Sequence, residues 1–307
     1  MTALFLGAGF SKWAFELPLV NQLFDFNINT SNSSELKKIE LLKADWVNWL
    51  KDNSNNSPER FIYWCMNKSS RRRSRVVWYV NRRLTEPFMT RVSGSYTSAM
   101  FDERVVRENV KIIKLNQFLL SLNEYGLKGI ITCNYDTLVE CALGTSGFNY
   151  GIIGEQLYGR GLNPQFPWQN AHVHVTGKIP LAKLHGSLSW ERDIKYTSGK
   201  PGRAGKSLII PPAPEKTPPT ELEDVWSLGG EILLDSHNLI LFGFAFNQYD
   251  KALLEFLKTK GKNISRILLI DPFPNINAAK VIWSDAIIDT IDPRKKFDLS
   301  KCLNTIK

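Results

Sequence analysis

Residues 2–11, TALFLGAGFS, join a short apolar run to a turn with two glycines. The run from Thr2 to Leu6 predicts a buried strand, and Gly7 and Gly9 predict a tight turn into a helix. Two glycines at this place let backbone N–H groups approach a pyrophosphate above the N-terminus of the helix. The stretch therefore predicts the first strand, turn and helix of a Rossmann-like sheet that holds a dinucleotide. A turn without a ligand is the alternative interpretation.

The rest of the chain supplies further strands and a block of helices. From Gly129 onward, short apolar segments alternate with turns and helices, which is typical of a parallel sheet covered on both faces. Residues 21–125 have helical periodicity, with helix starts at Asn32 and Ser57. We expect an α/β fold, a Rossmann-like parallel sheet with helices on both faces and a large helical insertion. The sheet domain would be 1–20 and 126–307, the insertion 21–125, and the later strands Ile130 to Thr132, Ala182 to Leu184, Leu208 to Ile210, Leu239 to Phe242 and Ile267 to Ile270.

The glycine turn departs from two common nucleotide-binding loops. The third glycine of the dehydrogenase fingerprint would fall at Lys12, and no clean strand-end acid follows about 20 residues later. The turn is not a Walker A loop either. Hydride transfer is therefore disfavoured.

Composition narrows the class of protein. The 307 residues can bury a substantial core. No apolar run approaches the roughly 20 residues that span a bilayer, and the N-terminus does not resemble a signal peptide. The four cysteines have no CxxC spacing, so neither a disulfide framework nor a four-cysteine zinc site is indicated. We expect a cytoplasmic protein with no metal and no membrane attachment; the cysteines are Cys65, Cys133, Cys141 and Cys302.

The net charge of +9 is concentrated between Arg60 and Arg91, where nine Lys or Arg accompany the single acid Glu86. A nucleic acid or an acidic protein partner could dock on such a face. The alternative is a solvated helix face, with its apolar side chains turned inward. Those apolar side chains are Val76, Val77, Val80 and Leu84.

Two further groups of polar residues follow predicted strands. Asn134 and Asp136 come after an apolar segment, and His185 follows the next one. Ligands bind at the carboxyl edge of open α/β sheets, and a histidine titrates near neutral pH, which suits a general base. Each residue also has an ordinary interpretation, as a turn former, a helix-start charge or a buried histidine.

Together these motifs resemble the sirtuin-like family. Residues 7–11 are similar to its opening GAGxS, residues 132–136 to its TxNxD segment, and residues 184–186 to its catalytic HG. Residues 241–244 with Asp250 look like the later nucleotide-binding strand and turn. Leu269-Ile270-Asp271 looks like the strand end that meets the adenosine, and Ile209 to Pro212 is typical of the bacterial branch.

The departures from the family pattern indicate a branch. The two CxxC pairs of the protein deacylases are missing, and Phe15 to Leu19 stands where those enzymes have a Gly-Ile-Pro-Asp-Phe-Arg stretch. Bacterial sirtuin-like proteins of antiphage defence lack the same features, carry a helical insertion and hydrolyse NAD. The chain resembles this zinc-less NADase branch.

The resemblance implies NAD⁺ hydrolysis to nicotinamide and ADP-ribose, with NAD as substrate, as an effector of bacterial antiphage defence by NAD depletion. Its implied catalytic residues are Asn134, which positions water and ribose hydroxyls, His185 as base, and Asp136 at the nicotinamide end. The alternatives are a non-catalytic NAD or ADP-ribose sensor and an NAD-dependent protein deacylase. We expect a homo-oligomer, restrained by assembly or by a separate sensor or ATPase/nuclease partner protein. The implied binding residues are Gly7, Ala8, Gly9 and Ser11 for the pyrophosphate, with Gly243 and Asp271 near the adenosine.

Overall fold

A seven-stranded parallel sheet forms the centre of the molecule. In this computed structural model the described residues are 1–53, 57–86, 89–92, 95–98, 110–144, 147–151, 177–191, 207–212, 220–295 and 302–304. The strands are β1 (Thr2–Leu6), β4 (Leu127–Thr132), β5 (Phe148–Asn149), β6 (Ile179–Lys183), β9 (Asn238–Phe242), β10 (Arg266–Ile270) and β11 (Ile287–Ile291). Their order is β11-β10-β9-β1-β4-β6-β5, so the first strand lies in the middle and the chain extends the sheet first to one side and then to the other.

The predicted Rossmann-like fold is confirmed. β1, the central strand, is buried along its whole length, as its uninterrupted apolar sequence predicts for a strand covered on both faces. Helices α1 (Ala8–Phe15) and α6 (Val110–Glu124) pack together beside the sheet, and α6 contacts β4 and α7 (Leu138–Leu143). Helices α8 (Glu223–Leu234) and α9 (Lys251–Lys260) pack together elsewhere on the sheet, where α8 contacts β4 and β6. The last helix, α10 (Ile276–Ile282), lies beside α9.

One predicted strand belongs elsewhere. The sequence predicts Leu208 to Ile210 as a strand of the parallel sheet, whereas the structure pairs β8 (Ser207–Ile209) antiparallel with β7 (Gly186–Glu191). Gly186, at a φ of 82°, starts β7 directly after the turn that ends β6. A short apolar run has the same composition in either sheet, so periodicity alone could not separate the two. A second antiparallel pair, β2 (Met89–Val92) with β3 (Ser95–Ser98), was also not predicted.

Four helices form a module with its own apolar cluster. They are α2 (Val20–Leu23), α3 (Ser33–Asp52), α4 (Pro58–Lys68) and α5 (Ser70–Thr85). The helix starts at Asn32 and Ser57 are confirmed, since both side chains accept backbone N–H groups of the following turn. The cluster of this helical module also takes in Leu188 and Ile209 of the β7–β8 hairpin.

Helix α6, which the sequence assigned to the insertion, packs with the sheet instead. Its Leu115, Leu119 and Leu122 lie in the main apolar cluster around β1 and β4. An amphipathic helix has the same periodicity wherever its apolar face is buried, so the sequence joined α6 to the helices before it.

The basic residues of α5 are largely engaged within the helical module. Arg72 and Arg75 both pair with Asp45 of α3, at 3.0 and 2.7 Å. Arg83 pairs with Asp25 and Glu86, at 2.8 and 2.9 Å. The four apolar residues of α5 named above are buried, as the solvated-face interpretation predicted, and the side chain of Arg91 lies outside the described residues. None of the helices that the structure describes is both long and apolar enough to cross a bilayer.

Candidate functional site

The strand ends are aligned in one row at the carboxyl edge of the sheet. Leu6 of β1 is the register partner of Thr132 on β4 and of Phe242 on β9, and Thr132 is in turn the partner of Lys183 on β6. Asn134 and His185 each follow two residues after this row, and Gly7 and Gly243 follow one residue after it. The fold therefore gathers the predicted site residues at the edge where ligands of open α/β sheets bind.

The glycine turn packs backbone against backbone on the turn after β9. The N–H groups of Gly7 and Gly9 donate to the carbonyl oxygens of Phe242 and Gly243, both at 2.9 Å. A Cβ atom on Gly7 would lie 2.3 Å from the Gly243 carbonyl oxygen, and one on Gly9 would lie 2.7 Å from the Gly243 Cα. The close approach of the two turns accounts for both glycines, so their role toward a pyrophosphate stays a prediction.

Asn134, Ser11 and Asp136 form one hydrogen-bonded chain. Asn134 Nδ2 donates to Ser11 Oγ at 2.8 Å and to the Gly7 carbonyl oxygen at 2.9 Å. Ser11 Oγ donates its proton to Asp136 Oδ2 at 2.7 Å, so the hydroxyl has no proton left for a phosphate while this bond is present. No side chain or backbone group in the described part of the chain donates to Asn134 Oδ1. Among these three side chains, the amide oxygen of Asn134 is therefore the acceptor that remains available to a ligand.

Asp136 anchors this chain to helix α7. Its Oδ1 accepts the backbone N–H of Leu138 at 3.1 Å, and the side chain is buried. Each carboxylate oxygen thus accepts a protein donor. In this arrangement Asp136 is joined to Asn134 through Ser11, and its direct contact with nicotinamide stays a prediction.

His185 is held by two residues whose roles the sequence did not indicate. Its Nε2 lies 2.9 Å from Asp250 Oδ2, and the two side chains are only 6% and 5% exposed. The indole of Trp226 stacks near the imidazole, with 6.5 Å between ring centres and 23° between planes. Trp226 is fixed in turn, since its Nε1 donates to the Leu184 carbonyl oxygen at 2.8 Å. The family resemblance places Asp250 at the nucleotide-binding turn after β9, and in the structure the residue at this turn also contacts His185.

A buried ion pair lies beside the backbone of Asp136. Lys183 Nζ and Glu140 Oε1 are 2.9 Å apart, and both side chains are 1% exposed. Lys183 also donates to the backbone carbonyl oxygen of Asp136, and Tyr150 OH donates to Glu140 Oε1 at 3.0 Å. A buried charge at the end of an apolar strand was the available sequence signal, because Lys183 must find an anion there.

Burial also keeps two further groups beside the site protonated. It is the main cause that raises the pKa of the Cys133 thiol and of the Tyr135 phenol, and the negative charge of Asp250 adds to both shifts. Tyr135 OH lies 3.3 Å from the Ile210 carbonyl oxygen and donates to it. Neither group is therefore suited to act as an anionic nucleophile near neutral pH.

Gly243 and Asp271 continue the edge on the other side of β1. Gly243 has a φ of 65°, and its N–H donates to the Ile270 carbonyl oxygen at 2.9 Å. Asp271 directly follows β10, and its Oδ1 accepts the Phe273 N–H at 2.8 Å. Both lie at the same edge as Asn134 and His185, but no described contact joins them to that pair. Within the described ranges, no three potential metal ligands lie together.

Comparison with known proteins identifies the family. Residues 128–291 match the model of the SIR2-like domain family, which is more than half of the chain. The chain therefore belongs to the SIR2-like family. None of the curated proteins compared with the chain matches it.

Solved sirtuin structures are similar over almost the whole chain at low identity. A mutant Sir2 homologue in complex with 2′-O-acetyl ADP-ribose is 14% identical, with a TM-score of 0.42, and 99% of this chain and 89% of that chain are covered. A Sir2 homologue in complex with NAD is 14% identical, with a TM-score of 0.40 and coverage of 99% and 87%. Sir2Tm bound to a propionylated peptide is 13% identical, with a TM-score of 0.40 and coverage of 100% and 91%.

Proposed function

We propose that the protein is an NAD⁺ hydrolase, which cleaves NAD to nicotinamide and ADP-ribose at the edge where β4 and β6 end. The observation that carries the proposal is the placement of Asn134 and His185 after neighbouring strands, each two residues beyond paired strand ends. The Oδ1 atom of Asn134 has no donor among the described residues, so it can accept a hydroxyl of a bound ribose. Membership of the SIR2-like family supports NAD as the ligand.

The proposed reaction needs only acceptors and a base. The bond between ribose C1′ and the nicotinamide nitrogen breaks, and its electron pair leaves with the nicotinamide. The ribose passes through an oxocarbenium-like state, and a water oxygen bonds to C1′ on the opposite face. Asn134 Oδ1 orients the ribose hydroxyl or that water, and His185 takes the proton that the water loses.

The remaining site residues act by holding this pair in place. Ser11 and Asp136 fix the amide of Asn134, and Asp250 with Trp226 fixes the imidazole of His185. Rigid placement of reacting groups contributes a large part of enzymatic rate enhancement. The diphosphate would lie beside the turn of Gly7 and Gly9, and the adenosine beside Gly243 and Asp271, since all four residues extend along the same edge.

The test is product identification from NAD, with and without an acylated peptide. A hydrolase releases nicotinamide and ADP-ribose in equal amounts without any peptide. Nicotinamide release that requires the peptide and yields acyl-ADP-ribose would assign a protein deacylase instead. Tight NAD binding with no product over hours would favour a sensor, or an effector that awaits its activating partner.

We extend the proposal to NAD depletion in bacterial antiphage defence. The absent CxxC pairs and the helical module support it, because both are features of the defence branch that the sequence resembles. Such an activity must be restrained before infection, so we propose a homo-oligomer and a separate sensor or ATPase/nuclease partner. Expression in phage-challenged bacteria tests this: cellular NAD should fall after infection in cells with the wild type and not with Asn134→Ala.

Nucleic acid is the less supported of the proposed partners. Three of the nine basic residues of this stretch, Arg72, Arg75 and Arg83, already form ion pairs within the helical module. If a nucleic acid does bind α5, its affinity should fall steeply as salt rises.

A further inference from the structure

The contact between His185 and Asp250 joins two turns that are far apart in the sheet. His185 follows β6 and Asp250 follows β9, and strands β4 and β1 lie between them. At about 4.8 Å between neighbouring strands, the segment after β9 must reach across roughly 14 Å of sheet edge to meet the imidazole. Asp250 could cap the helix that follows it without this long path, so capping alone does not explain why the segment reaches His185.

Asp250 is itself rigidly placed. Its Oδ1 accepts the Leu253 N–H at 3.3 Å and so starts helix α9, whose Leu253 and Leu257 are buried in the main apolar cluster. The second oxygen, Oδ2, is thereby aimed at His185 Nε2. The imidazole is thus held at one nitrogen, with the nearly parallel indole of Trp226 nearby.

The contact assigns the two ring nitrogens different chemistry. A carboxylate only accepts hydrogen bonds, so the proton of a neutral imidazole lies on the nitrogen that faces it, Nε2. The other nitrogen, Nδ1, then carries a lone pair. No side chain or backbone group in the described part of the chain hydrogen-bonds Nδ1, so it remains available to a bound molecule.

We propose that Asp250 is the positioning residue of the site, which fixes the proton of His185 on Nε2 and makes Nδ1 its basic atom. This inference rests on the proposed function where it concerns turnover, and on the structure alone where it concerns the tautomer. In the hydrolysis, the proton of the attacking water moves to Nδ1 as the oxygen bonds to C1′. The imidazolium formed faces the Asp250 carboxylate, and the proton then passes to solvent.

Asp250→Asn separates positioning from folding. The asparagine oxygen can still accept the Leu253 N–H, while its amide group can donate to Nε2 and move the imidazole proton to Nδ1. We expect kcat to fall roughly 10²- to 10⁴-fold, with the Kd for NAD changed by less than about threefold and an unaltered thermal midpoint. Asp285→Asn, an exposed position outside the site, is the matched control and should keep the wild-type rate.

A double variant tests whether Asp250 acts through His185. In the His185→Ala background, Asp250→Asn should cause no further loss of kcat, because the group that it positions is absent. Multiplicative losses in the double variant would overturn the assignment.

The tautomer itself is read by ¹⁵N NMR of protein labelled at histidine, without NAD. The resonance of His185, assigned by its absence in His185→Ala, should show a proton on Nε2 in the wild type and on Nδ1 in Asp250→Asn. A wild-type proton on Nδ1 would overturn the proposal whether or not NAD is hydrolysed. The predicted tautomer in a protein that leaves NAD intact would uphold the role of Asp250 and reject the hydrolase.

Discussion

At the scale of single residues, Ser11 is the link on which the placement of Asn134 depends. Its hydroxyl both accepts from Asn134 Nδ2 and donates to the buried Asp136. In Ser11→Ala, Asp136 Oδ2 loses its donor without gaining water. We expect the free energy of unfolding in urea to fall by about 1 to 3 kcal/mol. The matched control is Ser34→Ala on the exposed surface of α3, which should change it by less than about 0.5 kcal/mol. An equal change in the free energy of unfolding in the two variants would contradict the role of Ser11 as the link between Asn134 and Asp136.

The side chain of Asn134 has two separable parts, an oxygen with no donor among the described residues and an NH₂ group that donates to Ser11 and Gly7. Asn134→Ala removes both and should lower kcat for NAD cleavage by about 10²-fold or more. Asn134→Asp keeps the acceptor but brings a second oxygen against the Gly7 carbonyl and should therefore also be impaired. Steady-state nicotinamide release measures both. A fully active Asn134→Ala would contradict the role of the amide.

The sequence could predict which polar residues follow the strands of the sheet, but not which side chains they contact. The position of Asn134, Asp136 and His185 at one edge of the sheet could be predicted, because each follows a short apolar strand and the strand order brings these ends together. The pairing of His185 with Asp250 depends on the path of the turn after β9, which no local pattern specifies. Lys183 and Glu140 likewise meet only once the sheet and α7 have packed.

At the scale of elements, helix α4 carries the thiol of Cys65, and the pH dependence of stability shows whether this thiol is buried in the helical module. Burial, with a smaller contribution from Asp45, raises the pKa of Cys65 to about 12. An unfolded cysteine has a pKa of about 8.5, so above that pH unfolding releases a proton that the folded protein keeps. The free energy of unfolding should therefore fall as pH rises from about 8.5 towards 12, by roughly 1 kcal/mol per pH unit for this thiol.

Urea unfolding between pH 8 and pH 10 checks this. Cys65→Ala should be less stable at pH 8, because a buried side chain is truncated, but its stability should decline less steeply with pH. Parallel pH dependence in the two proteins would mean that Cys65 is not buried as described.

Helix α4 also contacts the turn that carries Asp250. Asn247 Nδ2 donates to Glu59 Oε1 at 3.0 Å, while Ser57 Oγ holds the other Glu59 oxygen at 2.7 Å. Glu59→Ala should loosen this turn, so amide hydrogens of residues 247–251 should exchange faster. Glu40→Ala, exposed on α3, is the matched control. Unchanged exchange in Glu59→Ala would show that the helical module does not restrain the turn.

Element types were easier to predict than their partners. The buried strand β1 and the caps at Asn32 and Ser57 follow from local sequence, and the structure has them. The extent of the insertion depends on where the apolar face of α6 is buried, and the partner of β8 depends on which strand lies beside it. Helix α6 and strand β8 were assigned to the wrong neighbours for this reason.

At the scale of the whole molecule, α6 leaves an apolar stripe uncovered that favours the proposed homo-oligomer. Val110, Ile113 and Leu120 are 61%, 42% and 44% exposed, and their spacing places them along one side of the helix. Sedimentation velocity should show a concentration-dependent oligomer. The double change Ile113→Glu and Leu120→Glu should dissociate it, whereas Val281→Glu, at a position 81% exposed on α10, should not. A wild type that is monomeric at every concentration would contradict the proposal.

The central claim is that Asn134 and His185 cleave the glycosidic bond of NAD at the carboxyl edge of the sheet. The measurement that tests it most directly is the initial rate of nicotinamide release at saturating NAD, without peptide, for wild type and His185→Ala. The account predicts turnover by the wild type and a roughly 10²- to 10⁴-fold lower kcat in His185→Ala, with NAD binding retained. Equal rates in the two proteins would contradict it.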